Sequence, residues 1–207
     1  MKPLVIKDIL SKEEIDKLKL VAEKEKKIRK VEVYDIPIGG EGPDLLIKQY
    51  NHIGRRDIEV FPMPDGIVEK FNELTQFFPE GFQYELHNFN IMYVEYSGEF
   101  GIPKLGPHYD GGGTSYMINY QIDSNIDWTV GIGRQGYDIK DNEALLFCPT
   151  EDLHWRPKIK FRKDQYLSLL FLRYDRTPKV KVPKIKYTEQ EVEEIKNIIE
   201  TYYEKKN

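Results

Sequence analysis

A single cysteine, Cys148, among 207 residues excludes an internal disulfide. It lies in the apolar run Ala144-Leu145-Leu146-Phe147-Cys148, which marks a buried thiol and not a nucleophile. Such cysteine usage suits a reducing compartment, so a cytoplasmic location is expected. Long apolar runs are missing too: no stretch approaches the ~18 uncharged apolar residues of a membrane span. The opening Met1-Lys2-Pro3-Leu4-Val5-Ile6-Lys7-Asp8 has no apolar core of a leader, and no membrane association is expected. Nor does one sign of charge dominate. The 31 basic and 35 acidic residues leave a net charge of −4, which gives no sign of bulk attraction to nucleic acid. Internal repeats and low-complexity tracts are absent. The length suits one domain over 1–207 with a sizeable core.

What is present has a clear order. Ser11-Lys12-Glu13-Glu14 has the form of a capping box, in which Ser11 accepts from the backbone three residues on and Glu14 reaches back. A helix should follow, with Ile15, Leu18, Leu20 and Val21 on an apolar stripe and the lysine-rich segment 23–30 as its solvated end. The spacing of Ile67, Val68, Phe71, Leu74 and Phe78 predicts a second helix over about 65–78, stopped by Pro79. Thr188-Glu189-Gln190-Glu191 is a second capping box, opening a C-terminal helix over 187–206 with Val192, Ile195, Ile198, Ile199 and Tyr202 along one face.

Between 82 and 176 the pattern changes to short aromatic and β-branched runs, at 90–96, 115–122, 128–132, 143–148 and 165–174, divided by Gly, Pro, Asp and Asn clusters. About six to eight strands fit there, enough for a jelly-roll. The fold class is α+β with a mainly β core. Residues 1–80 are expected to supply helical support and loops, and 179–186 an extended edge or linker. Gly-rich 39–43 and 111–113 lack the Lys-Ser/Thr of a P-loop and suit surface loops, the second at a cavity mouth.

Four histidines occur, and His52 and His87 have no company that marks a site. His108-Tyr109-Asp110 places an imidazole and a carboxylate two residues apart, on one face of an extended strand, where both can share a metal ion. His154, just after the run 143–148, supplies a third ligand. Two histidines and one carboxylate leave three open positions, as in non-haem Fe(II) oxygenases.

Here the chain resembles the 2-oxoglutarate and Fe(II)-dependent oxygenase superfamily, in particular its prolyl-hydroxylase-like branch, over roughly 90–174. Tyr96-Ser97-Gly98-Glu99-Phe100 followed by Gly106-Pro107-His108-Tyr109-Asp110 is similar to the family's approach to its His-x-Asp motif. The segment 139–147 looks like the turn and strand before the distal histidine, and 166–173 like the final core strand. The resemblance implies a double-stranded β-helix (a cupin-like jelly-roll) flanked by N- and C-terminal helices. It also implies Fe(II) held by His108, Asp110 and His154, with 2-oxoglutarate and O2 as co-reactants. The reaction implied is hydroxylation of a peptide, amino acid or other small molecule.

The family's Arg-x-Ser is absent, since Tyr166 stands two residues before Ser168. The charge for the distal carboxylate of 2-oxoglutarate must then come from Lys163 or Arg156, the latter two residues beyond His154. Tyr120 falls near a family tyrosine that hydrogen-bonds the cosubstrate, and Tyr96 and Ser168 complete the expected set. Otherwise the basic run 156–163 is a solvated loop. Trp128 and Trp155 are core aromatics by default, with Trp155 placed to wall the iron pocket. Two other functions compete: a cupin-like metal enzyme that does not use 2-oxoglutarate, which the missing Arg-x-Ser favours, and a non-catalytic β-sandwich binding module.

Overall fold

The computed structural model describes residues 2–28, 33–37, 51–100, 105–110, 115–179 and 187–206. The loops expected at 39–43 and 111–113 and most of the edge segment 179–186 lie outside these residues. Eleven strands are described: β1 (Leu4–Lys7), β2 (Val33–Pro37), β3 (Asn51–Ile58), β4 (Gln83–Ser97), β5 (Leu105–His108), β6 (Ser115–Ser124), β7 (Val130–Ile132), β8 (Gln135–Tyr137), β9 (Glu143–Phe147), β10 (His154–Arg156) and β11 (Tyr166–Thr177). Helices α1 (Lys12–Ile28), α2 (Ile67–Glu73) and α3 (Glu189–Lys206) accompany them. None of the described helices is long and apolar enough to cross a membrane.

The strands form two antiparallel sheets. The larger has the order β1-β9-β6-β11-β4-β3-β2 and the smaller β5-β10-β7-β8. This is the expected double-stranded β-helix. Residues 1–80 depart from expectation, however, because β1, β2 and β3 come from a stretch read as helices and loops. All three extend the larger sheet toward its edges. Edge strands gain their hydrogen bonds from the neighbouring strand and need no strict apolar alternation, so their sequences carry little signal.

Alternation along the central strands sorts side chains between two layers. Tyr116, Ile118, Tyr120 and Ile122 of β6, Leu146 of β9 and Leu170 and Leu172 of β11 pack with Leu18, Ala22, Ile67 and Phe71 of the helices. The intervening Met117, Leu145, Phe147, Leu167, Leu169 and Phe171 face the smaller sheet and pack with Trp128, Val130 and Ile132. One parity thus buries against helices and the other lines the space between sheets.

Both capping boxes form. The Ser11 N–H donates to the Glu14 carboxylate at 2.7 Å and the Glu14 N–H to Ser11 Oγ at 3.3 Å. At α3 the Thr188 N–H donates to Glu191 at 2.8 Å and the Glu191 N–H to Thr188 Oγ1 at 3.3 Å. The second helix is shorter than its pattern predicts: α2 ends at Glu73 and continues as a 3-10 turn, Leu74–Phe77. Phe78 is then extended, at φ −76° and ψ 161°, as the residue before Pro79 must be.

Helix α3 lies on the outer face of the smaller sheet, where Val192, Ile195 and Ile199 meet Tyr109, Leu153 and Trp155. Trp155 pairs across the sheet with Gly131, and its indole N–H donates to the Gly133 carbonyl at 2.9 Å. A Cβ on Gly131 would stand 2.0 Å from the indole ring. Gly131→Ala is therefore expected to lower stability by about 1–3 kcal/mol, the usual cost of overpacking, read as a lower urea midpoint with an unchanged slope.

Candidate metal centre

The smaller sheet brings the two histidines together. β10 runs antiparallel to β5 with His154 directly opposite His108, and their ring centroids are 4.1 Å apart. Asp110 follows β5 on the same face as His108, its N–H donating to the Pro149 carbonyl at 2.9 Å, while Tyr109 between them turns outward under α3. The Nε2 atoms of His108 and His154 both lie 3.4 Å from Asp110 Oδ1. One ligand atom from each of the three residues falls within 4.8 Å of the others. Neighbouring ligand atoms bonded to one ion at about 2.1 Å sit about 3 Å apart, so the set needs little contraction to hold a metal.

Proton placement argues the same way. His108 Nδ1 is 2.8 Å from the Gly106 carbonyl and His154 Nδ1 is 3.1 Å from that of Asp152. A carbonyl only accepts, so each Nδ1 carries a proton and is fixed in orientation. Burial, reinforced by the neighbouring His154, pushes His108 below its ordinary value, so at neutral pH its Nε2 presents a lone pair. Burial alone would raise Asp110, but its contacts with His108 and His154 and the charge of Arg173 hold its carboxyl well below the usual range. A lone pair facing a carboxylate oxygen at 3.4 Å is repulsive, and a cation between them relieves it.

These residues open on a cavity of about 190 Å³ between the sheets, lined also by Arg55, Met117, Asn119, Val130, Phe147, Arg156, Phe171 and Arg173. Arg156 is 3% exposed. Its Nη1 donates to the Trp128 carbonyl at 2.7 Å and its guanidinium lies 4.9 Å from the Trp128 ring centroid. Burial pushes Arg156 down to about 10; Tyr96 opposes that shift and Arg55 adds to it. Arg55 differs, because Asp57 pairs with it at 2.5 and 2.6 Å. Among the described residues Arg156 has no carboxylate partner, an electrostatic deficit that an anionic ligand would offset. Tyr96 is fully buried, packs edge-on against Trp128 with ring centroids 4.7 Å apart, and its hydroxyl makes no hydrogen bond among the described residues.

The other expected cosubstrate residues lie elsewhere. Tyr120 has the helix-facing parity of β6; it packs edge-on against Phe71 and donates to Asn142 at 3.0 Å. Ser168 likewise faces the helices, where Tyr93 donates to its Oγ at 3.1 Å. Lys163 and Ser168 line a separate cavity of about 430 Å³ beneath α1, with Lys26 and Glu95. That cavity is larger but has no convergent metal ligands among the described residues, and the Glu95 carboxylate is matched by Lys26 at 2.5 Å and Arg56 at 2.6 Å. Trp155 faces α3 and does not wall the pocket. In each case the side chain belongs to the other face of its sheet, or to a loop on that side.

Three polar residues of the cavity lining were not expected: Arg55, Asn119 and Arg173. Asn119 and Arg173 share the inward parity of Met117 and Phe171, so strand alternation was a usable signal for them. Arg55 lies on β3, between β4 and the edge strand β2, and the sequence of β3 has no such pattern.

No protein-family model matches the chain, and no curated protein matches it in sequence. Solved structures do match it. A viral collagen prolyl hydroxylase from Paramecium Bursaria Chlorella virus-1, determined with 2-oxoglutarate, superposes with a TM-score of 0.52 at 14% identity, covering 87% of this chain and 97% of that one. A Pseudomonas putida prolyl-4-hydroxylase gives 0.56 at 9% identity over 84% and 92%. The α-ketoglutarate-dependent epimerase SnoN of nogalamycin biosynthesis gives 0.60 at 8% over 84% and 76%. The fold of this chain is thus that of the 2-oxoglutarate/Fe(II) oxygenases. Hydroxylases and an epimerase share it, so the fold alone does not select the reaction.

Proposed function

We propose that this chain, built on the fold of the 2-oxoglutarate/Fe(II) oxygenases, is itself a 2-oxoglutarate-dependent Fe(II) dioxygenase that hydroxylates a small-molecule or peptide substrate. One observation carries the reading: a convergent His108, Asp110 and His154 set shares a cavity with Arg156, a buried cation without a carboxylate partner among the described residues. The triad offers three ligand atoms on one side of an ion and leaves the other positions for co-reactants. When bound, Fe(II) and 2-oxoglutarate would supply the oxidising chemistry of a dioxygenase, with O2 as the oxidant and 2-oxoglutarate as the co-reductant.

The residues of the chain position and shield. The carbonyls of Gly106 and Asp152 orient the two imidazoles, and Arg173 at 2.9 Å orients the Asp110 carboxylate. Arg156, two residues past His154 on β10, takes the distal carboxylate of the cosubstrate in place of the missing Arg-x-Ser, with the Tyr96 hydroxyl nearby. The apolar side chains of Met117, Val130, Phe147 and Phe171 keep bulk water from the reacting centre.

Anaerobic titration with Fe(II), with and without 2-oxoglutarate, tests the reading. A weak visible charge-transfer band that needs both components is expected. Iron binding without a band would favour a metal enzyme that does not use 2-oxoglutarate, and no metal binding would favour a binding module.

A further inference from the structure

Three guanidinium groups line the metal cavity, and Asp110 is the sole carboxylate among its described lining residues. Arg55 is matched by Asp57, and Arg156 is committed to the cosubstrate. Arg173 remains. It stands on β11 two residues beyond Phe171, with inward parity, and its Nη2 reaches Asp110 Oδ2 at 2.9 Å. Its side chain is 38% exposed, against 10% for Arg55, so it marks the more open end of the cavity. Its Nε is nevertheless buried and makes no hydrogen bond among the described residues. A buried guanidinium donor left unmade is costly and is most readily satisfied by an oxyanion.

Charge balance points the same way. With Fe(II) and the 2-oxoglutarate dianion bound, their charges cancel. Asp57 offsets Arg55, and Asp110 alone is set against the two remaining cations of the cavity, Arg156 and Arg173, so one positive charge is left over among the described residues. We propose that Arg173 binds the prime substrate directly and that this substrate carries a carboxylate, received by the Nε edge of Arg173 within reach of the metal. The inference rests on the oxygenase reading and deepens it: a carboxylate there neutralises the loaded cavity, and a neutral or cationic substrate leaves Arg173 Nε unmatched.

Benzoate and benzamide are nearly isosteric and differ in charge, so the anaerobic Fe(II)–2-oxoglutarate complex is titrated with each, following a shift of its charge-transfer band and ligand-observed NMR. The wild type is expected to bind benzoate about tenfold or more tighter than benzamide, with the band shifted but retained. In Arg173→Gln, with Fe(II) raised until the band is fully formed, the two probes should bind within about twofold of one another. Arg173→Lys should keep a reduced preference for benzoate, because it keeps the charge but loses the planar fork.

Equal binding of the probes by the wild type, binding of neither, bleaching of the band by benzoate through displacement of 2-oxoglutarate, or a preference that survives in Arg173→Gln would each overturn the proposal. A band that added Fe(II) cannot restore in either variant would also overturn it, making Arg173 a positioning residue for Asp110 alone. A wild type that forms no band at all would sink the oxygenase reading itself, and this proposal with it.

Discussion

His108→Ala is expected to abolish the Fe(II)–2-oxoglutarate band and substrate-linked decarboxylation together, with metal affinity reduced by more than about 100-fold. That exceeds the loss usual for residues that only orient a ligand. The reason lies in the pairing of β5 with β10. His108 and His154 are direct cross-strand partners, and both Nε2 atoms converge on one oxygen of Asp110. Removing one imidazole leaves two donors and a gap that water fills, and no other described His, Cys, Asp or Glu side chain joins the cluster. The fold should survive, because the smaller sheet is held by backbone pairing and by the packing of Trp155 and Tyr109 under α3. Far-ultraviolet circular dichroism equal to that of the wild type, alongside the lost band, is the expected combination. A full-strength band in His108→Ala would show that iron binds elsewhere.

Arg156→Met should separate stability from cosubstrate binding. The guanidinium is buried, its charge is disfavoured there, and among the described residues it has no carboxylate to repay the loss of water. Met has similar length and no charge to desolvate, so the apo variant is expected to be at least as stable as the wild type in urea. Affinity for 2-oxoglutarate should fall by about 2–5 kcal/mol, roughly 30-fold or more, because its distal carboxylate loses a desolvated partner. Fe(II) affinity should hardly change. Lys163→Met offers the contrasting case: Lys163 lines the cavity beneath α1, on the helix side of the larger sheet, and its loss should leave 2-oxoglutarate binding as it was. The reverse pattern, with Lys163→Met weakening the cosubstrate and Arg156→Met neutral, would overturn the assignment of Arg156.

The candidate metal ligands were legible because their information is local. His108 and Asp110 share a face whenever residues 108–110 are extended, and the apolar run before His154 marks a strand that ends beside them. The helix caps were legible for the same reason: Ser11 with Glu14 and Thr188 with Glu191 close their hydrogen bonds within one turn. Tyr120 and Ser168 show where such reading stops. Each lies on a strand correctly placed in the chain, yet each is one residue out of phase with the cavity, and a shift of one residue exchanges the two faces of a sheet. The phase could have been taken from the apolar partners, since Met117 and Phe171 bracket the inward positions on β6 and β11.

Arg55, Arg156 and Arg173 illustrate the rest. Their roles depend on which carboxylates stand near them: Arg55 finds Asp57 two residues on, Asp110 after β5 faces Arg173 on the larger sheet, and Arg156 is left with a carbonyl and an indole ring. The chain by itself determined the β core, the capped helices that flank it and the three candidate metal ligands, because strand alternation, capping hydrogen bonds and a His-x-Asp spacing act over a few residues. Only the tertiary structure decided which arginine lacks a partner, which tyrosine faces the helices and which edge strands complete the larger sheet. Those outcomes are set by contacts between segments far apart in sequence, and a charge or a sheet face acquires its meaning only from what is packed against it.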